Sequence, residues 1–200
     1  MFALETLNRA LFLRFNAGLD VPHWQISLAV ACAEYLILAL PLLLLGLWYR
    51  GERAQRATAL KACAVTALAL LVNQLIGMAW PHPRPFVIGL GQTWIHHVAD
   101  PSFPSDHMTV FVCIGWSLLM GGARGWGLAV LAAALPVAWS RVFLGVHYPL
   151  DMLGAVLVSP AVHAAMSPFW RRAASGATTA SEALYRWLFQ GPIARGWLRP

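Results

Sequence analysis

The sequence predicts an all-α fold: a polytopic membrane helix bundle of about five spans, with an N-terminal interfacial amphipathic helix ahead of them. Three observations carry this. Of 200 residues, 59% are hydrophobic and only 11% charged, against about 25% charged in soluble domains. The apolar residues collect in runs long enough to cross a bilayer. The basic residues gather between particular runs, as they do in cytoplasmic loops. The length fits a single membrane domain over 1–200: an interfacial helix at 1–18, a transmembrane core at 20–170 and a cytoplasmic or interfacial tail at 171–200.

Residues 3–15 place Leu4, Leu7, Leu11 and Phe15 at helical spacing with Glu5, Asn8 and Arg9 elsewhere, the pattern of a helix lying in the interface. Glu5, Arg9 and Arg14 deny this stretch the apolar core of a cleaved signal peptide. The first span runs from Ile26 to Tyr49, holds Glu34 as its one charge, and ends on aromatic and basic anchors, Trp48-Tyr49-Arg50. A second covers about Ala57 to Trp80, with Asn73 and Gln74 as its chief polar positions. Residues 81–106 contain too many prolines and glycines for a helix. They retain Phe, Trp and Ile, which predicts an ordered, partly buried loop. A third span starts at about Asp106 and ends near Met120, a fourth covers about Trp126 to Gly145, and a fifth about Pro149 to Trp170. Beyond Arg171-Arg172 the chain reads as a Ser/Thr/Ala/Gly linker and a short amphipathic stretch, Ala183–Phe189, on the membrane.

With five spans, one side of the membrane holds Arg50, Arg53, Arg56, Lys61, Arg124, Arg171, Arg172, Arg186, Arg195 and Arg199. The other holds only Arg9, Arg14, Arg84 and Arg141. The first side is therefore expected to be cytoplasmic. The same asymmetry accounts for the net charge of +6. No basic stripe with interleaved aromatics suggests nucleic acid. Cys32, Cys63 and Cys113 all sit in apolar runs without a CxxC pair, so neither a disulfide framework nor a zinc site is expected. His96 and His97 are adjacent, with Asp100 nearby; neighbours in sequence point apart, and they read as loop-surface residues. No metal and no cofactor is called for.

Every chemically suggestive cluster falls on the outward side. These are His82-Pro-Arg84-Pro-Phe86, Pro104-Ser105-Asp106-His107, and Ser140-Arg141 followed by His147 and Asp151. The combination suits a phosphate group. Arg84 and Arg141 offer bidentate positive charge. Ser105 reads as the N-cap of the third span, whose free N–H groups would face an anion, with His107 in its first turn. Pro149 suits the first helical position, which puts Asp151 near the third and facing back toward His147. A histidine held by a carboxylate is an oriented nucleophile, and His107 is placed to protonate the leaving oxygen.

At these residues the chain resembles the type 2 phosphatidic acid phosphatases, the PAP2 superfamily. SRVFLGVHYPLD matches the S-R-x5-H-x3-D signature, FPSDH the P-S-x-H signature, and PRP at 83–85 the end of the K-x6-R-P signature. The wording of HPRPF and SFPSDH is closer still to the bacitracin-resistance-type undecaprenyl-diphosphate phosphatases. The resemblance covers about residues 20–165. It implies a membrane enzyme hydrolysing undecaprenyl diphosphate to undecaprenyl phosphate and phosphate through a phosphohistidine. Such an enzyme recycles carrier lipid for peptidoglycan synthesis and confers bacitracin resistance. It implies a bacterial inner membrane with the site facing the periplasm. His147, His107 and Asp151 would form the catalytic set, with Arg84, Arg141, Ser105, Asp106 and His82 around the phosphate.

Two positions depart from the pattern. Gly77 stands where the superfamily has Lys, with His82 as its possible replacement, and Asp106 stands where Gly is commonest, beside His107. Glu34 is the one ionisable group well inside the spans, about eight residues or about 12 Å from the outward end. Its depth points either to the phosphate pocket or to Asn73 and Gln74. The motifs leave open phosphatidylglycerol phosphate, phosphatidic acid or a lipid A phosphate as substrate, and transfer in place of hydrolysis. A transporter is disfavoured because the polar groups gather at one face rather than the midplane, and a haloperoxidase because of the spans and short loops. The oligomeric state leaves no mark on the sequence.

Overall fold

The computed structural model describes residues 2–199, and every regular element among them is helical. Helix α1 spans Phe2–Phe15. It stops where the Asn16 side chain takes over backbone partners. Asn16 Nδ2 donates to the carbonyls of Gln92 (2.8 Å) and Phe143 (3.1 Å), and its Oδ1 accepts from the Gln92 amide (2.7 Å). The first span comprises α2 (His23–Val30), a π-helical turn (Ala31–Tyr35), a 3-10 turn (Leu36–Leu38) and α3 (Ala39–Arg50). Then follow α4 (Arg53–Ala79), a 3-10 turn (Pro85–Ile88), α5 (Asp106–Met120), α6 (Arg124–Phe143), α7 (Pro149–Leu188) and α8 (Gln190–Ala194).

Four helical segments are long and apolar enough to cross a membrane: His23–Arg50, Arg53–Ala79, Arg124–Phe143 and Pro149–Leu188. The fifth expected span, α5, has 15 residues, about 22 Å at 1.5 Å per residue and short of the ~30 Å hydrocarbon core. It sits in the middle of the bundle, packed on α4, α6 and α7, with Phe111, Cys113 and Leu118 almost wholly buried. Protein surrounds it, so its length need not match lipid. The α5–α6 contact depends on glycine: a Cβ on Gly127 would lie 2.8 Å from the Gly115 carbonyl oxygen. Small residues at that crossing let the two backbones approach closely.

Helix α1 docks on the bundle through a face other than the leucine stripe. Phe12 and Asn8 are buried, while Leu4, Leu7 and Phe15 are exposed. Phe12 meets the Tyr148 ring edge-on at 5.5 Å, and Asn8 Oδ1 accepts from the Leu150 amide (3.1 Å), an otherwise free donor at the start of α7. The leucine face stays exposed and apolar, as an interfacial helix requires.

One expectation changes, at the tail. The predicted linker is helical throughout, because α7 continues unbroken for 40 residues to Leu188. Its Ala-rich stretch is helix-compatible, and the far end is held by tertiary contacts. Glu182 meets Arg53 (2.7 Å) and Arg56 (3.5 Å), and Arg53 also donates to Thr179 Oγ1 (2.6 Å). Tyr185 packs against Trp48 and Tyr49. The stretch expected to lie on the membrane is thereby docked on α3 and α4.

Candidate active site

The C-termini of α4 and α6 and the N-termini of α5 and α7 meet at one end of the bundle, covered by the segments 80–105 and 144–148. Backbone hydrogen bonds tie these segments down: Ser102 N to His82 O (2.8 Å), Trp94 N to Leu144 O (3.1 Å) and Ser105 N to Asp151 O (3.2 Å). Gly145, at φ +86°, turns the chain after α6. That turn delivers His147 two residues before α7.

His147 is 2% exposed. Its Nδ1 lies 3.1 Å from Asp151 Oδ2, and its Nε2 lies 3.0 Å from Arg84 Nη1. An aspartate is an acceptor and a guanidinium only a donor. The geometry therefore assigns the proton to Nδ1 and leaves the lone pair on Nε2, pointing at Arg84. Burial, then the charges of Arg84, Arg141, His97 and His107, hold the imidazole well below its usual 6.5, so the ring is neutral at pH 7. Asp151 Oδ2 also accepts from the Tyr148 amide (2.8 Å) and from Ser102 Oγ. Three donors thus fix the carboxylate that fixes the ring.

The two arginines differ. Arg84, from the start of the covering loop, is fully engaged. Its Nε donates to Asp100 Oδ1 (3.0 Å), and its Nη1 is shared between the Val146 carbonyl (2.9 Å) and His147 Nε2. Arg141, in the last turn of α6, is 1% exposed, and its Nε and Nη2 are buried with no hydrogen-bond partner among the described residues. Those two nitrogens form the side-on fork that grips carboxylate or phosphate. Its Nη1 faces Glu34 Oε1 at 3.6 Å. A buried donor left unsatisfied costs roughly 1–3 kcal/mol, more when charged. An anion with paired oxygens is the natural occupant. Ser105 caps α5, with its Oγ 3.5 Å from the Met108 amide, and so turns the helix N-terminus toward the same end. His107 sits in that first turn. Ser140 only bonds back to the Val137 carbonyl (2.9 Å).

The structure gives three candidate residues specific partners. His82 is turned to α1: its Nε2 is 3.3 Å from Glu5 Oε2, with its ring against Trp80 and Tyr148. Asp106 does not face His107; its carboxylate is bound by the amides of Asn73 (2.8 Å) and Gln74 (3.4 Å) on α4, since successive residues on a helix point about 100° apart. Glu34 pairs with Arg141 and not with Asn73 or Gln74. Gly77 lies under the loop, where an added Cβ would sit 3.1 Å from Pro101 Cβ. The loop thus packs where the superfamily's lysine would emerge.

Sequence reasoning missed Ser102, Asp100 and His97. Ser102 and Asp100 sit in an irregular loop with no motif spacing to betray them. His97, set aside as a surface residue, has its ring 6.2 Å from that of His147 and its Nδ1 3.7 Å from Asp100 Oδ1. Among the described residues no group of three or more His, Cys, Asp or Glu is arranged to hold a metal ion.

Fold and site together define a helical, multi-pass membrane protein with a buried histidine and two buried arginines near one end of the bundle. The PAP2 superfamily model matches residues 58–174. YbjG of Escherichia coli (strain K12), named as a candidate undecaprenyl-diphosphatase, is 40% identical over 98% of this chain and 99% of that protein. The undecaprenyl-diphosphatase BcrC of Bacillus subtilis (strain 168) is 38% identical over 66% of this chain and 68% of its own. A decaprenylphosphoryl-5-phosphoribose phosphatase of Mycobacterium tuberculosis is 33% identical, covering 66% and 70%. The crystal structure of a transmembrane PAP2-type phosphatidylglycerolphosphate phosphatase from Bacillus subtilis shares the fold, with a TM-score of 0.63 at 21% identity over 86% of this chain and 88% of that one. This chain belongs to the PAP2 superfamily.

Proposed function

We propose that this protein is a membrane lipid phosphatase that hydrolyses undecaprenyl diphosphate to undecaprenyl phosphate and phosphate. One observation carries the reading: a buried His147 with Nδ1 3.1 Å from Asp151 Oδ2 and Nε2 3.0 Å from Arg84 Nη1, at the same end of the bundle as Arg141, whose buried Nε and Nη2 have no hydrogen-bond partner among the described residues. The diphosphate substrate draws support from the relatives named undecaprenyl-diphosphatase. In this reading His147 Nε2 attacks the terminal phosphorus. The N–P bond forms as the bond to the bridging oxygen breaks, and His107 protonates that oxygen on the departing lipid phosphate. Arg141 grips two phosphoryl oxygens, and Arg84 transfers its Nη1 hydrogen bond from Nε2 to a third, which frees the lone pair for attack. Water, losing a proton to His107, then attacks phosphorus, and the N–P bond breaks to release phosphate. The chain works as one domain in a bacterial inner membrane, with the site at the end opposite the arginine-rich loops and hence facing outward.

The test is phosphate release from undecaprenyl diphosphate in detergent with EDTA, comparing the parent with His147→Ala and His107→Ala. Phosphatidylglycerol phosphate, phosphatidic acid, a lipid A phosphate and decaprenylphosphoryl-phosphoribose run alongside. His147→Ala should lose at least about 10³-fold. Retained turnover in that variant, or loss of parent activity with EDTA, overturns the mechanism. A marked preference for a monophosphate ester overturns the substrate assignment.

A further inference from the structure

The anion pocket depends on a residue outside all three motifs, carried by the first span. Glu34 lies in the π-helical turn Ala31–Tyr35, where α2 changes register before α3 begins. A π-turn adds a residue to one turn of a helix, rotates the side chains around it, and recurs at functional sites. A carboxylate within a span is costly and persists where it faces a polar cavity or a charged partner. Glu34 has a charged partner: its side chain is 45% exposed, and its Oε1 lies 3.6 Å from Nη1 of the buried Arg141.

Arg141 shows what that carboxylate does. Its side-chain contact with Glu34 is the one polar pairing it makes among the described residues, since Nε and Nη2 have no partner. Glu34 therefore holds the corner of the guanidinium opposite the fork. The planar group is paired through one nitrogen while the other two are left without a partner among the described residues. Arg84 is fixed differently, by several loop oxygens including the half-exposed Asp100. Without Glu34 no polar group among the described residues fixes the rotation of the Arg141 fork.

We propose that Glu34 is a positioning residue: from the π-turn of the first span it braces Nη1 of Arg141 so that the Nε–Nη2 edge meets phosphate. This rests on the proposed phosphate chemistry of the site, and it makes the first span a structural part of that site.

The experiment is a double-mutant cycle read by two methods in detergent-solubilised full-length protein. Glu34→Ala, Glu34→Asp, Arg141→Lys and the Glu34→Ala/Arg141→Lys double variant are assayed for lipid-diphosphate hydrolysis. The same proteins are titrated with orthovanadate, followed by thermal shift. Glu34→Ala should lower kcat/KM and weaken vanadate binding by roughly 10–100-fold, as misplacement of a positioned group does, while ligand-free melting stays within a few degrees of the parent. Glu34→Asp should recover part of both losses. In the Arg141→Lys background Glu34→Ala should add little, because the fork it braces is gone. Unchanged kcat/KM and vanadate affinity in Glu34→Ala would overturn the proposal, and so would an equal loss on top of Arg141→Lys. The vanadate arm does not depend on the identity of the lipid. Failure of the lipid assay in the parent alone therefore counts against the proposed substrate and leaves the coupling of Glu34 to Arg141 to be read.

Discussion

Both ends of the bundle bury an arginine, and the two arginines are treated in opposite ways. At the end formed by the α3–α4 turn and the far part of α7, Arg56 is saturated. Its Nε donates to the Trp48 carbonyl (2.9 Å), its Nη1 meets Glu182 (3.5 Å), and its guanidinium lies 5.7 Å from the ring centroids of both Trp48 and Tyr185. At the other end Arg141 is buried at least as deeply, but its fork has no partner among the described residues. A saturated buried cation stabilises the fold around it. An unsaturated one is a standing cost that a ligand relieves. Burial by itself does not separate a structural charge from a binding charge; the count of satisfied donors does.

The comparison breaks most directly at Arg141. Arg141→Lys replaces a planar fork with a point charge, and kcat/KM should fall about 10²–10³-fold while the melting temperature holds or rises. A large loss of stability there would mean that Arg141 is structural after all. Glu182→Ala should do the reverse. It leaves Arg56 buried without its carboxylate and should cost about 3–5 kcal/mol, read as a lower thermal midpoint in detergent, with kcat/KM of the folded protein within about two-fold. Ser102→Ala sharpens the picture inside the site. It removes one of three donors to Asp151 Oδ2, and kcat should fall about ten-fold with KM nearly unchanged. The smallest effect is on pH. Because burial and the neighbouring cations push His147 well below 6.5, the ring stays unprotonated through mildly acidic conditions. The acid limb of kcat/KM should therefore appear only as pH falls through that depressed value, below pH 6.5. A limb at 6.5 or above that persists when Asp151 is replaced by Asn would show that His147 carries an ordinary proton affinity.

Much of the molecule was visible in its residue order. Apolar run lengths mark the spans, and the positions of the arginines relative to those runs predict which end carries the polar clusters. Pro149 and Asp151 predict a helix start that returns a carboxylate to His147; the structure has α7 beginning at Pro149 and Asp151 Oδ2 on His147 Nδ1. These features are legible because they depend on short spacings, on composition or on helical period. The tertiary structure decided everything that depends on how one helix is rotated against another. Asp106 turns to Asn73, 33 positions away. His82 faces Glu5, 77 positions away. Ser102 reaches Asp151 across 49 positions. The Ser/Thr/Ala/Gly stretch near residue 178 is helical because Glu182 finds Arg53, 129 positions earlier. No local pattern records such partners, since each contact is set by packing of the whole bundle. That Glu34 meets Arg141, with the fork of Arg141 left open, is a fact of the same kind.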